Sequence, residues 1–482
     1  MNTLPKVLLV ASECAPVVKT GELGDFIYNL PKELINLGFD ARVALPLYKA
    51  IDVKKFNIKP IWRDKRLKIR KDKHNIGLWS GTLPGSKAEV YFIENKKYFG
   101  TGTTSFAEPV SAKATIRKYG VKANHRKEIE RFAFFSDVVF TLLKEKLLPF
   151  EPDIIHANDW HSGLLLKLIY ENNQAILKFN KRQKKYNKTN QVALASLQNP
   201  FRTILTIHDL SNQGIGNSKN FLKDGIFHAD VVTTVSATYA EEIKNKENGF
   251  GLHSLLRKKQ ARGILNGFNY DSLHSFGEKD SHKLQFQENN GLKKGIAFPI
   301  FSMTGQFNDH KGMQWVLPVI SYVVSMFDAQ FVFCGSGDED FEKTLIKLAK
   351  KYPENIKVTI SKEEDSAIAV YAASDFLLMP SSFEPCGATQ MIAMSYGALP
   401  IARATGGLKE TIKDSKTGFV FEEKNEKGLL KAIFRALDVF ADEASFNQMR
   451  EAAVSEDFGW EKPLSEYAKI YRELMKDHTT KA

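Results

Sequence analysis

The chain has 482 residues, 43% hydrophobic and 26% charged, which argues against wholesale disorder and, at roughly 100–200 residues per domain, for at least two packed domains. Its 3 cysteines, Cys14, Cys334 and Cys386, lie far apart with no CxxC or Cys/His pair. No disulfide framework or zinc site is implied, and a reducing, cytoplasmic compartment fits. The net charge of +12 raises nucleic acid as a partner, but the excess runs through ordinary surface stretches such as residues 49–73. We read it as a Lys-rich composition that also attracts anionic ligands.

The opening MNTLPKVLLVASE enters a short apolar strand at once and lacks the longer apolar stretch and cleavage site of an export signal. No apolar run reaches the roughly eighteen residues of a membrane span. After the strand at residues 6–12 comes a turn carrying Gly21 and Gly24. Phe26, Ile27, Leu30, Leu34 and Leu37 then have the spacing of an amphipathic helix over residues 25–37, which Pro31 kinks or delays. Residues 40–45 predict the next strand, and the same rhythm returns at 153–156, 203–208 and 231–235. A second series follows, with strands at 298–304, 329–333, 356–360, 376–379 and 399–402. A glycine turn at 334–337 leads to a helix over 341–351. Alternating strands and helices predict parallel sheets covered on both faces, hence two doubly wound units. The polar stretch 276–291 reads as the linker between them. The basic stretch 178–189 reads as a solvated loop or helix extension first and a contact to an acidic partner second.

Four segments carry chemistry. Lys19-Thr20-Gly21-Glu22-Leu23-Gly24-Asp25 sits between a strand and a helix, where glycines bring amide N–H groups toward an anionic ligand and a lysine neutralises it; a plain turn fits equally. His156, Asp159, Trp160 and His161 crowd the end of one strand, with His208 at the end of the next. Ligands bind at such strand ends in this fold class. Trp160 stacks on a ligand or packs in the core, and His161 bonds a sugar hydroxyl or a leaving oxygen. Lys311 before Gly312 is placed as a phosphate partner. Finally, in PSSFEPCGATQMIAMSYGALPIARATGGL, Glu384 at one strand-to-helix junction offers a carboxylate to ribose or sugar hydroxyls. Thr405-Gly406-Gly407 at the next junction offers amides to a diphosphate.

In order along nearly the whole chain, ASECAPVVKTGELGD, HANDWHSGL, TIHDLSNQG, GILNGFN, FCGSGD, FEPCGATQ, RATGGL and DFGWEK resemble the glycogen synthase and bacterial starch synthase family of retaining glycosyltransferases. The resemblance implies an α/β fold of the GT-B type, two Rossmann-like doubly wound domains facing a central cleft. It divides the chain into an acceptor-side domain over 1–270, a nucleotide-sugar domain over 271–462, and a helix within 463–482 returning to the first domain. It implies transfer of glucose from ADP-glucose, or UDP-glucose, to the non-reducing end of an α-1,4-glucan, with neither metal nor cofactor. Carried over by position, His161, Lys311 and Glu384 are catalytic. Lys19, Gly21, Asp25, Asp159, His208, Asn266, Cys386, Gly387, Thr405, Gly406 and Gly407 bind substrate. The chain departs from the pattern at Glu22, where the family has glycine. It departs again at Gln306 and Ser382, where the family has arginine, and at Lys362, where a base-stacking aromatic is expected. These departures leave open a non-catalytic, glucan-binding homologue or a transferase using a different donor.

Overall fold

The computed structural model describes residues 4–100, 123–190, 200–216, 219–269, 279–361 and 365–476. The chain forms two compact units, one of Met1–Val235, Ala240–Gly267 and Trp460–Ala482, the other of Ser236–Tyr239 with Phe268–Gly459.

In the first unit β1 (Lys6–Val10) leads through α1 (Glu22–Asn36) to β2 (Asp40–Pro46). A hairpin of β3 (Lys59–Ile69) and β4 (Asp72–Thr82) precedes β5 (Glu89–Glu94), α2 (Ala123–Lys144), β6 (Ile154–Asn158) and α3 (Asp159–Asn190). Then come β7 (Arg202–Ile207), the two-residue strands β8 (Ile215–Gly216) and β9 (Lys219–Asn220), α4 (Phe221–His228), β10 (Val231–Thr234), α5 (Ala237–Glu242), α6 (His253–Lys259) and β11 (Arg262–Gly263). Among the described residues they build a nine-stranded sheet in the order β11-β10-β7-β6-β1-β2-β5-β4-β3. It is parallel from β11 to β5, and β4 runs antiparallel to both its neighbours. Central strands are apolar on both faces because helices cover both; four of the five residues of β1 are buried.

In the second unit α7 (Lys279–Asn290) precedes β12 (Ile300–Phe307), α8 (Met313–Phe327), β13 (Gln330–Gly337), α9 (Glu339–Lys351) and β14 (Ile356–Ile360). The chain continues through α10 (Asp365–Ala373), β15 (Phe376–Met379), α11 (Thr389–Ser395), β16 (Leu399–Arg403), α12 (Gly406–Thr411), β17 (Phe419–Phe421), α13 (Glu426–Phe440) and α14 (Glu443–Val454). The sheet is all parallel, β14-β13-β12-β15-β16-β17. Phe301, Phe331 and Phe376 stack across its strands at 5.3 and 5.0 Å, each such buried side chain stabilising by roughly 1.5–3 kcal/mol. The last helix, α15 (Glu461–Lys476), is part of the first unit.

Several expectations are corrected. Helix α1 begins at Glu22 rather than residue 25 and runs through Pro31; Glu22 and Asp25 in its first turn favour the early start through the helix dipole. Strand β13 continues through the expected glycine turn to Gly337. Gly335 and Gly337 lie so close to the β12 carbonyls of Gly305 and Phe307 that no side chain would fit there. The expected linker at 276–291 is mostly helix α7, which buries Lys279, Lys283 and Gln287. Their polar ends are satisfied: Lys279 donates to the Tyr371 and Tyr396 carbonyls, Lys283 to Asp375 and the Ile296 carbonyl, and Gln287 to the Gly295 carbonyl. The surface stretch 49–73 contains the exposed edge strand β3. The basic stretch 178–189, by contrast, continues α3 as the helix-extension reading expects.

Candidate active site

Each sheet reverses its strand order once beside a central strand, and polar groups gather at the carboxyl ends there, where doubly wound sheets open a crevice. In the first unit the reversal lies between β1 and β6. Beyond β1, the Lys19 Nζ stands 2.9 Å from the Asp25 carboxylate. Gly21 precedes α1 in extended conformation, with no side chain to cap it. Beyond β6, Asp159 adopts a left-handed φ of 52°, and its Oδ1 accepts the His208 N–H at 2.7 Å. The His208 Nε2 lies 3.1 Å from Asn158 Oδ1. Burial pushes the Asp159 carboxyl up to about 8 and the His208 imidazole down to about 3. His161 is likewise pushed down to about 3, by burial first and by His208 second; its ring packs on Phe132 at 4.5 Å and Trp160 at 4.2 Å. Trp160 itself is buried, so it packs and does not offer a stacking face. His156 belongs to the core: its ring nitrogens lie 2.8 Å from the Tyr471 hydroxyl and 2.7 Å from Thr206 Oγ1. Asn266 is buried beyond β11, at the far end of the sheet. The structure does not join it by hydrogen bonds to the β1–β6 group, and its Oδ1 has no partner among the described residues.

In the second unit the reversal lies between β12 and β15. Lys311 follows β12 and Glu384 follows β15, and their side chains meet at 2.6 Å. Ser381 Oγ donates to the same carboxylate oxygen at 2.9 Å. Glu384 is buried whereas the Lys311 side chain is 32% exposed, so the ammonium is the accessible member of the pair. The Arg403 guanidinium, buried at the end of β16, donates to the Ser381 and Ser382 carbonyls at 2.7 and 2.8 Å and so braces the segment that carries Glu384. Gly406 has a φ of 46°, and a Cβ there would collide with the Glu384 carbonyl; only glycine lets the two junctions meet. The Gly407 N–H donates to that carbonyl at 3.1 Å, so this amide of the Thr405–Gly407 turn is already engaged. Cys386 is buried, and its carbonyl accepts from Gln390 at 3.3 Å; Gly387 follows with a φ of 73°.

Of the departures, Gln306 is exposed and accepts from Asn308 at 3.1 Å. Ser382 donates from its amide to the His310 carbonyl at 2.8 Å and from its hydroxyl to the same atom at 3.1 Å, joining its segment to the Lys311 loop. Lys362 lies outside the described residues. Among the described residues no group of three His, Cys, Asp or Glu side chains is placed to hold a metal ion. Sequence reasoning passed over Glu13, Ser381, Arg403 and Asn158. All four lie inside the segments already recognised, and their place there was the signal.

Two doubly wound units, each with polar groups at its switch point, define the GT-B class of glycosyltransferases. Residues 6–258 match the starch synthase catalytic domain family and residues 286–454 the glycosyl transferases group 1 family. A glycogen synthase of Thermosipho melanesiensis is 31% identical, over 98% of this chain and 99% of its own. One of Desulfitobacterium hafniense is 33% identical, over 97% and 99%. Among solved structures, the catalytic domain of starch synthase IV from Arabidopsis thaliana, bound to ADP and acarbose, superposes with a TM-score of 0.78 at 26% identity, over 98% of this chain and 100% of that one. The chain belongs to the glycogen synthase and starch synthase family, and it is a glycosyltransferase that moves glucose from a nucleotide-sugar to a glucan.

Proposed function

We propose that the donor is ADP-glucose and that glucose is added, with retention, to the non-reducing end of an α-1,4-glucan. The observation that carries this reading is the Lys311–Glu384 pair at the switch point of the second unit; the ADP bound in the related starch synthase favours the adenine nucleotide. Residues 271–462 serve as the nucleotide-sugar domain and 1–270 as the acceptor side, with the helix within 463–482 completing the latter.

Lys311 places its charge on the diphosphate as the glucosyl bond breaks, Glu384 holds glucose hydroxyls, and the Thr405–Gly406 turn beside Cys386 and Gly387 borders the phosphates. This is electrostatic stabilisation of a leaving group by preorganised charges. On the first unit the half-buried His161, held neutral by desolvation, donates to or accepts from a sugar hydroxyl. Lys19, Gly21, Asp25, Asp159 and His208 line the path of the transferred glucose and the acceptor. The acceptor 4-hydroxyl attacks the face the diphosphate leaves, and a diphosphate oxygen takes its proton. Retention then requires no side-chain nucleophile. The cytoplasm is the compartment this reading expects, and Cys14, Cys334 and Cys386, buried and unlinked, support it.

Labelled ADP-glucose and UDP-glucose, each offered with a glycogen primer, test the reading. Incorporation from ADP-glucose is expected, falling about 10²–10³-fold in Lys311→Ala and Glu384→Ala. Transfer from UDP-glucose alone would overturn the donor assignment. Glucan capture without any turnover would instead select the non-catalytic reading, which the loss of the arginines at Gln306 and Ser382 motivates.

A further inference from the structure

Helix α1 opens without a side-chain cap of its own, since Gly21 at its N-cap supplies no acceptor. The acceptor comes from beyond the end of β1. Glu13 is 3% exposed; its Oε1 accepts the Gly24 N–H at 3.1 Å, and its Oε2 accepts the Thr20 N–H at 2.6 Å together with the Thr20 hydroxyl. Charge-assisted bonds of this kind, at the positive end of a helix dipole, are the contacts a phosphate would make there. Burial raises the Glu13 carboxyl while the bonds from Thr20 and Gly24 pull it back. The backbone around Lys19 is fixed from the other side as well. Cys14 and Val18 exchange two backbone bonds of 2.8 and 3.0 Å, and the Ala15 N–H donates to the Gly24 carbonyl at 2.9 Å.

We propose that Glu13 is a positioning residue for the transfer reaction: it is the resident anion of the Lys19–Asp25 loop, locks the backbone next to Lys19 so that the ammonium is presented to substrate, and keeps the Thr20 and Gly24 amides from the donor phosphates. The Thr20 and Gly24 amides are thereby withheld from an anionic ligand, and the loop presents the Lys19 cation beside them. The catalytic part of this proposal rests on the reading that Lys19 meets substrate.

Glu13→Gln keeps the volume but sets an amide NH2 against N–H donors. In the full-length protein, hydrogen exchange of residues 14–26 and labelling of Lys19 by an amine-reactive ester, relative to other lysines, report the loop directly. Both are expected to rise about tenfold, as loss of ~1.4 kcal/mol of local order gives. The KM for donor or primer should rise by a similar factor, with kcat changed less than about threefold by the same arithmetic. Thr20→Val, which removes only the hydroxyl bond, should show the same changes at smaller size and covers the case in which Glu13→Gln fails to fold. Exchange and labelling equal to wild type in both variants would overturn the positioning role. Faster exchange and labelling with both KM values unchanged would overturn its part in the transfer reaction, leaving Glu13 only as the lock of the loop, and would remove Lys19 from the substrate site.

Discussion

The buried polar groups of the first unit, near β6, are neutral. His156 bridges Thr206 and Tyr471, and His208 meets Asn158; burial holds both imidazoles down at about 3. In the second unit, around β12 and β15, charges do the equivalent work. Lys283 pairs with Asp375 at 2.7 Å with both side chains under 5% exposed, Lys311 pairs with Glu384, and Arg403 is sunk among carbonyls. Neutral networks tolerate the loss of a member at modest cost, but fail when protons are forced onto them. Buried ion pairs instead leave an uncompensated charge when one partner goes.

The largest test of that contrast is Lys283→Ala. It takes the ion-pair partner from the Asp375 carboxylate, which among the described residues keeps the Ile300 N–H at 2.8 Å, and should cost about 3–5 kcal/mol, read by denaturant unfolding and by faster exchange in the second unit. A loss below about 1 kcal/mol would show the pair to be no more than a surface bridge. Acid is the next test, and it addresses the first unit. His156, His161 and His208 have folded values of about 3, below the ordinary 6.5, so their stabilisation is intact above pH 6.5 and is lost as pH falls toward 3. Asp159, raised to about 8, works in the opposite direction. Its contribution is complete at low pH and is lost as pH rises from about 4 to 8. Three protons taken up against one already held leave a net loss of stability as pH falls from 6 to 4. Exchange measured across that range should open the first unit before the second; the reverse order would break the comparison. Smallest is Tyr471→Phe, which deprives His156 Nδ1 of its hydroxyl and should cost about 1–3 kcal/mol, seen as a lower unfolding midpoint with the fold retained.

What was legible in the sequence follows the same division. The strands that pair in the centre of each sheet, and the junctions at Glu384 and Thr405–Gly407, show themselves because buried parallel strands need apolar runs and close loop contacts need glycine. The GT-B class and the family were readable from those segments in order. Less legible was burial through hydrogen bonds. Helix α7 looks like a linker because its inward face is Lys279, Lys283 and Gln287, and hydropathy does not register that each of those polar ends finds a carbonyl, carboxylate or amide. The β3 strand looked like plain surface because an edge strand keeps its charges out. Glu13 escaped notice for a different reason. Its partners are 7 and 11 residues away in a loop whose path no periodicity describes.

Helix α15 gives the molecule an order of assembly. The first unit needs residues after Gly459 to finish, whereas the second is nearly continuous from Phe268 to Gly459. During synthesis, with domains generally folding as units, the later unit is therefore the first to have all its parts. Meanwhile the earlier sheet waits with Phe26, His156 and Thr206 uncovered until Tyr467 and Tyr471 emerge to pack on them. Removing the residues after Gly459 would therefore leave the later unit with all its parts and the earlier one with the rings that Tyr467 and Tyr471 cover laid open.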